Sequence, residues 1–366
     1  MYDLVSAALQ AQQLSQAVQL IKQWQREKPE DPWLALAMGQ YWEAKDEAER
    51  AQTTYTKLLQ TTANTKVLSQ AREGIKRVRD HLARQREHSL NQAKAQPGSE
   101  IAGVLVLQPV VGDARQAAVQ GLAQVMQMDA YTARTRLPSQ YWRLYRTGAM
   151  GELRYVGEQL RQQRVPCVWS SIQDIKALPV FRVQTIQSFA PQVTVLCQNA
   201  SGQKGTLQLQ WSEISQWVSG LLPIYESVVD LGPWGKLQRK EATQDYAEVL
   251  DWHLHGRGCV LRFCDRTYRY RESAPLPGLW EPSTDGPLIA ATAWKALKTA
   301  FEQAIVPPLH RDFTGFGESA LDFIDLLPEI PPYLELSRSA ASPWDAAFQL
   351  YSVLRFLAYA PPRKSG

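Results

Sequence analysis

The feature that most constrains this chain is a repetition at its start. Lay "MYDLVSAALQAQQLSQAVQLIKQWQREKPEDP" on "LAMGQYWEAKDEAERAQTTYTKLLQTTAN" at an offset of 34 residues. Val5 then falls on Gly39, Ala8 on Trp42, Ala17 on Ala51, Ile21 on Tyr55, Trp24 on Leu58 and Pro29 on Ala63. Self-similarity at such a period is the mark of stacked helical hairpins. The small residue at Ala17 and Ala51 lets two helices cross closely, and the large apolar residues that follow fill the groove between them. A third stripe comes next: Leu68, Ala71, Ile75, Val78 and Leu82 recur at three- and four-residue steps, the period of an amphipathic helix. Glu73 with Arg77 and Asp80 with Arg84 are pairs four apart on its wet side. It reads as the cap that a short repeat array needs.

This pattern resembles the tetratricopeptide repeat (TPR) family, in which a small residue, an aromatic, an alanine, a second aromatic and a proline follow at this spacing. The second copy matches better, through Gly39, Trp42, Ala51 and Tyr55, while the first departs at Val5 and Ala8. The resemblance covers roughly the first quarter of the chain. It implies a concave partner-binding side made by the first helix of each hairpin, here carrying Trp33, Leu36, Gln40, Glu43 and Gln70. The Lys and Asn with which some members grip a terminal carboxylate are missing from these positions.

The totals set the class. A chain of 366 residues has room for two or three domains. Apolar residues at 45% and charged residues at 21% are those of a folded globular chain. A net charge of +4 is too slight to mark a nucleic-acid binder by itself. "MYDLVSAALQAQQ" has neither a basic start nor a long apolar run, so no signal peptide is expected. No run of eighteen apolar residues occurs, so no transmembrane segment is expected either. Four cysteines make no disulfide framework. The expected location is cytoplasmic with reduced thiols, and peripheral association with a membrane complex stays open.

The expected architecture is multidomain α+β. A helical domain over 1–90 is followed by a polar linker over 91–100, within "REHSLNQAKAQPGSE" and its Pro97-Gly98 turn. Residues 101–175 then read as strand, helix, helix, strand, helix, strand, a small α/β sandwich. Its first turn, "QPVVGDAR", has one glycine where a dinucleotide fingerprint needs three. Cys167 alternates with Val165 and Trp169 and reads as core.

Residues 176–366 read as a β-rich domain with two similar hairpin-plus-helix units, at about 180–225 and 245–306. Each has an apolar strand ending in a cysteine and a polar residue, Cys197-Gln198 and Cys264-Asp265, then a turn, an alternating strand and a helix. Trp211, Ile214, Trp217, Val218 and Leu221 would serve the first helix, and Trp294, Leu297, Ala300, Phe301 and Ala304 the second. This plan is similar to pleckstrin-homology-like or other small β-barrel modules closed by a helix. A long amphipathic helix ends the chain: Ser342 is its candidate N-cap, Pro343 its first residue, and Trp344, Ala347, Phe348, Tyr351, Leu354 and Leu357 its apolar face. It would dock on the preceding sheet or on a partner. The whole layout is similar to cyanobacterial TPR-containing proteins of no assigned activity.

One stretch invites a chemical reading. "DWHLHGRGCVLRFCD", residues 251–265, holds His253, His255, Cys259 and Cys264. In an unbroken strand Cys259 and Cys264 point to opposite faces and could not share one ion. Neither C-x₂₋₄-C nor H-x₃₋₅-H spacing occurs there. His253 with Cys259 could form a thiol–imidazole pair, but closeness in sequence does not establish it. No metal ligands, catalytic residues or cofactor are therefore assigned. The expected function is a non-catalytic protein-interaction adaptor or assembly factor working through the N-terminal helices, with a photosynthetic complex suggested by the resemblance alone. Two alternatives stay open. One is a small-ligand or nucleotide sensor. The other is a nucleic-acid binder using the Arg72–Lys94 helix and the basic loop with Trp234, Lys236, Arg239 and Lys240.

Overall fold

A computed structural model describes residues 1–231, 237–276, 289–338 and 341–359, with backbone alone at 225–231 and 237–244. The chain separates into two compact units, Met1–Ala95 and Gln96–Gly366. It is a mixed α/β protein with a helical N-terminal region followed by sheets and helices.

Unit 1 is five helices: α1 (Tyr2–Gln10), α2 (Leu14–Glu27), α3 (Pro32–Ala44), α4 (Ala48–Thr61) and α5 (Thr65–Lys94). Short turns join them, so neighbours in sequence pack on one another. Side chains stop the backbone fraying at two starts. The Asp31 carboxylate accepts from the Trp33 amide at 3.0 Å with Pro32 in the first turn, and Asn64 accepts from the amides of Lys66 and Val67. Ala17, Ile21 and Trp24 of α2 and Ala51, Tyr55 and Leu58 of α4 are buried, as the repeat alignment requires.

Tyr55 is the centre of the second hairpin. Its ring lies between Gly39 of α3 and Gly74 of α5, where an added Cβ would come within 2.3 and 2.6 Å of it. The missing side chains are thus space for the ring, and burial pushes the Tyr55 hydroxyl above its usual pKa. One expectation needs correction here. Residues 91–94, assigned to the linker, belong to α5, which runs unbroken to Lys94. Polarity alone does not end a helix. No glycine or proline stands between Gly74 and Pro97, and His88 and Gln92 bond across one turn at 2.9 Å.

Unit 2 opens with β1 (Ala102–Leu107), α6 (Ala114–Met126), α7 (Ala130–Arg136), β2 (Arg143–Ala149), α8 (Met150–Gln162) and β3 (Cys167–Ser171), in the order expected. The strands form a sheet ordered β2-β1-β3, with β1 antiparallel to both neighbours. Leu105 and Leu107 pack with Leu122 of α6 and Leu153 of α8 on one face. After α9 (Ile172–Ala177) come β4 (Val180–Ser188), β5 (Val193–Gln198), β6 (Lys204–Leu209), β7 (Gln216–Leu231), β8 (Leu237–Leu254) and β9 (Cys259–Cys264). Then follow α10 (Ala290–Ala304), β10 (Leu309–His310), α11 (Phe313–Leu321) and α12 (Pro343–Leu357). The second sheet is ordered β10-β7-β8-β9-β4-β5-β6, with parallel joins at β10/β7 and β4/β9. Trp294, Leu297 and Phe301 of α10 cover one of its faces, against Trp252 and Phe263.

Helix α12 covers the other face, and the first sheet closes over it. Val104, Val106 and Leu144 of the small sheet share one core with Phe313, Phe316, Phe348, Tyr351 and Leu354, and with Val218, Leu222 and Val249 of the large one. Every residue from Asp345 to Leu354 is buried. The expectation of a single apolar stripe is corrected accordingly: a helix between two sheets has no wet side along most of its length. The division expected near residue 175 does not separate two cores either, since this cluster spans it.

The expected duplication is also corrected. Residues 211–221 form no helix: a short 3-10 turn at Trp211–Glu213 leads into β7. Trp217, Val218 and Leu221 fit a helical step, but β7 is an interior strand with apolar side chains on both faces, a pattern that imitates a helix. Trp217 faces the α10 side and Val218 the α12 side. Gly220 lets Phe313 and Phe348 reach the strand, where a Cβ would lie 2.5 and 2.6 Å from their rings. In the second supposed unit α10 forms as expected, but residues Tyr270–Glu272 make a 3-10 turn rather than a second strand. Both stretches belong to one sheet.

We expect Gly39→Ala to destabilise unit 1 by about 1–3 kcal/mol through overpacking against Tyr55. Urea unfolding followed by helical circular dichroism measures it, and pairing the change with Tyr55→Leu should recover part of the loss.

Candidate functional site

The five residues expected to line a docking row do not share one fate. Leu36 is 1% exposed and sits in the core with Tyr55, Val67 and Ala71. It is corrected from surface to core, because α3 presents it to α4 and α5 rather than to solvent. Trp33, Gln40, Glu43 and Gln70 are half-buried. Three of them converge on a residue the sequence reading passed over. The Tyr2 ring packs on Trp33 with centroids 4.8 Å apart. Its hydroxyl donates to Gln70 Oε1 at 3.0 Å and accepts from Gln40 Nε2 at 3.0 Å. Thus α1, α3 and α5 meet around one aromatic side chain. A signal for it existed: at the 34-residue offset Tyr2 falls on Leu36.

Glu43 stands apart from that cluster. It accepts from the Tyr55 hydroxyl and takes a two-pronged bond from Arg77, at 3.1 Å from Nε and 2.9 Å from the terminal nitrogen. Asp46 bonds His81 at 2.8 Å. Glu43, Asp46, Arg77 and His81, with Asp80 and Arg84, line a cleft of about 290 Å³ beside the end of α3. Its walls alternate in sign, which suits a zwitterionic or peptide surface better than a polyanion.

The stretch 251–265 is a β-hairpin, the end of β8, a 3-10 turn at His255–Arg257 and β9. Alternation sorts its side chains. Cys259 joins the core under α10, and Cys264 joins the core under α12. His253 faces α12, where its Nε2 lies 3.0 Å from Ser352 Oγ. The thiol–imidazole pair considered for His253 and Cys259 is therefore not formed. All four cysteines are buried. Burial pushes the thiols of Cys167, Cys197 and Cys264 up to about 11, against the activation a nucleophile requires.

What the hairpin builds instead is a buried polar cluster. Arg262 donates from Nε and a terminal nitrogen to both oxygens of Asp251, at 2.8 and 2.6 Å, and its other terminal nitrogen donates to the Pro332 carbonyl at 2.5 Å. Ser352 of α12 donates to Asp251 at 2.5 Å, so His253 carries its proton on Nε2 and donates it to Ser352. His255 stacks on Phe356 and Tyr359 at 4.0 and 4.1 Å and bonds the Phe356 carbonyl at 2.9 Å. Asp251, His253 and Ser352 are shut off from solvent. A serine between a carboxylate and an imidazole, with no room for a substrate, anchors a helix and presents no nucleophile. Trp234 and Lys236 lie outside the described residues, as do the side chains of Arg239 and Lys240.

Among the described residues no set of three or more metal-ligating side chains comes together, and no helix is long and apolar enough to cross a membrane. Comparison with protein-family models, with curated proteins and with solved structures finds no match to the chain.

Two outcomes follow for unit 2. Burial holds the imidazoles of His253, His255 and His310 below their ordinary pKa. The unfolded chain then binds protons that the folded one refuses, so stability is full above about pH 6.5 and falls as pH drops below it. Denaturant midpoints at pH 7.5 and 5.5 measure the fall, which His253→Gln and His255→Gln should each reduce. Asp251→Asn strands the buried Arg262 charge and should cost about 3–5 kcal/mol in the same assay.

Proposed function

We propose that the chain is a protein-binding adaptor or assembly factor and that unit 1, a TPR-like array, is its docking module. Helix order, the 34-residue offset and the Gly39–Tyr55–Gly74 packing support that reading. The observation that carries it is the seat of Tyr2. Trp33, Gln40 and Gln70 offer an aromatic wall and two carboxamides to a side chain with an apolar body and a polar tip. Such a seat suits an amphipathic helix or extended segment of a partner, anchored by one aromatic residue. Tyr2 stands at the first turn of α1, where helices fray most readily, so a partner's aromatic group can compete for its place. Glu43, Arg77, His81 and Arg84 give the partner's polar residues a second foothold in the cleft nearby.

Trp33→Ala in the full chain tests this. A crosslinking pull-down from native extract identifies the partner, and titration with the purified partner follows. The expected loss is about 2 kcal/mol, roughly thirtyfold in Kd, with helical signal retained. Gln70→Glu, which puts a charge in the same seat, should weaken binding as well. Affinity within about twofold of the parent for both folded variants removes the seat from the interface.

A further inference from the structure

A second site lies in unit 2 and owes nothing to the reading of unit 1. Strands β4 and β9 run parallel with Arg182 and Arg262 as register partners, and both residues border one cavity. Arg262 is neutralised by Asp251 beneath it. Arg182 is balanced differently. Its side chain is 19% exposed, and its carboxylate partner is Glu335, which is 74% exposed. Glu335 belongs to residues 331–338, which are neither helix nor strand. A sheltered cation is thus held by a solvated anion on an irregular strap, an unequal pairing that another anion can replace.

The space around this pair has the chemistry of a receptor. A cavity of about 160 Å³ is lined by Arg182, Gln184, Gln198, Thr267, Arg269 and Glu335, with Arg262 at its floor. Gln184 donates to Gln198 at 3.0 Å, and Gln198 donates to the Gly202 carbonyl at 2.9 Å. That chain of carboxamides fixes Gln184 with its Oε1 buried and without a hydrogen-bond partner. A buried acceptor left unmet costs about 1–3 kcal/mol, and a ligand's N–H or O–H would satisfy it. Arg269 adds a third guanidinium to the lining, 3.3 Å from Glu272. An engineered cavity of about 150 Å³ binds benzene, so a space of this size suits an occupant of about half a dozen non-hydrogen atoms.

We propose that this cavity binds a small carboxylate bearing a neighbouring hydroxyl or amino group. The carboxylate pairs with Arg182, the neighbouring group donates to Gln184 Oε1, and the Glu335 carboxylate is the internal occupant that the ligand displaces. Hydroxy acids and amino acids share this chemistry, and the cavity size best suits their two- and three-carbon members.

Thermal-shift and calorimetric titration of the full chain with lactate, alanine, acetate and inorganic phosphate test it. Ligand binding to the folded state raises Tm in proportion to ln(1 + [L]/Kd). Lactate or alanine should bind at least about tenfold more tightly than acetate, the gap reflecting the bond to Gln184. Gln184→Leu should close that gap, and Arg182→Gln should abolish binding. Glu335→Gln, a conservative change at an exposed position, should tighten binding several-fold by removing the built-in competitor, an effect a purely structural ion pair would not produce. The proposal is overturned if neither lactate nor alanine shifts the Glu335→Gln chain at roughly 20 mM. It is overturned equally if phosphate binds and the carboxylates do not, or if folded Arg182→Gln retains affinity.

Discussion

The architecture of unit 2 depends on one burial, that of helix α12 between two sheets. Phe348, Tyr351 and Leu354 pack in a single core with strands of both sheets. A helix in that position removes apolar surface from water on all sides, and each sheet covers a face of the other's support. Neither sheet would have a complete core without it. The small sheet would expose Val104 and Val106, and the large one would expose Val218, Leu222 and Val249.

Hydrophobic burial is not directional, so polar contacts set the position of α12. Its start is tied by Asp345 to Arg338, its middle by Ser352 to Asp251, and its end by Arg355 and the Tyr351 hydroxyl to Asp312. Arg355 also lies over the Trp142 ring at 4.2 Å, which reaches the small sheet. These contacts recur along the helix at intervals that a slip by one residue would break together. The buried charges are paired, and that is the condition under which a low-dielectric interior tolerates them.

Unit 1 works on a different plan. It has five helices, two small cores and a face where half-buried side chains bond each other. The division of labour proposed follows from that contrast. In the proposed reading the seat formed by Trp33, Gln40 and Gln70 exchanges its occupant, whereas the polar groups beneath α12 are already committed to folding. In unit 2 the Arg182–Glu335 pair joins a sheltered cation to a carboxylate that stands in solvent.

The linear order of residues determined the parts that rest on local periodicity. The repeat offset located α2 and α4 and their buried Ala17, Ile21, Ala51 and Tyr55, and the strand–helix order of 101–171 was legible throughout. Parity alone put Cys259 and Cys264 on opposite faces. Of the five residues expected to line a docking row, Trp33, Gln40, Glu43 and Gln70 are half-buried and Leu36 went to the core, while Tyr2, which three of them meet, was overlooked. What tertiary structure decided was everything set by burial on a second side. Residues 216–224 carry apolar groups on both faces and satisfy a helical step and an extended one equally, until Gly220 is seen to admit Phe313 and Phe348. The last helix shows one stripe in its sequence because small and polar residues such as Ala346, Gln349 and Ser352 look exposed, and they are buried only because a second sheet arrives from a distant part of the chain. Periodicity reports which side of an element is apolar, but it cannot report how many neighbours will cover it.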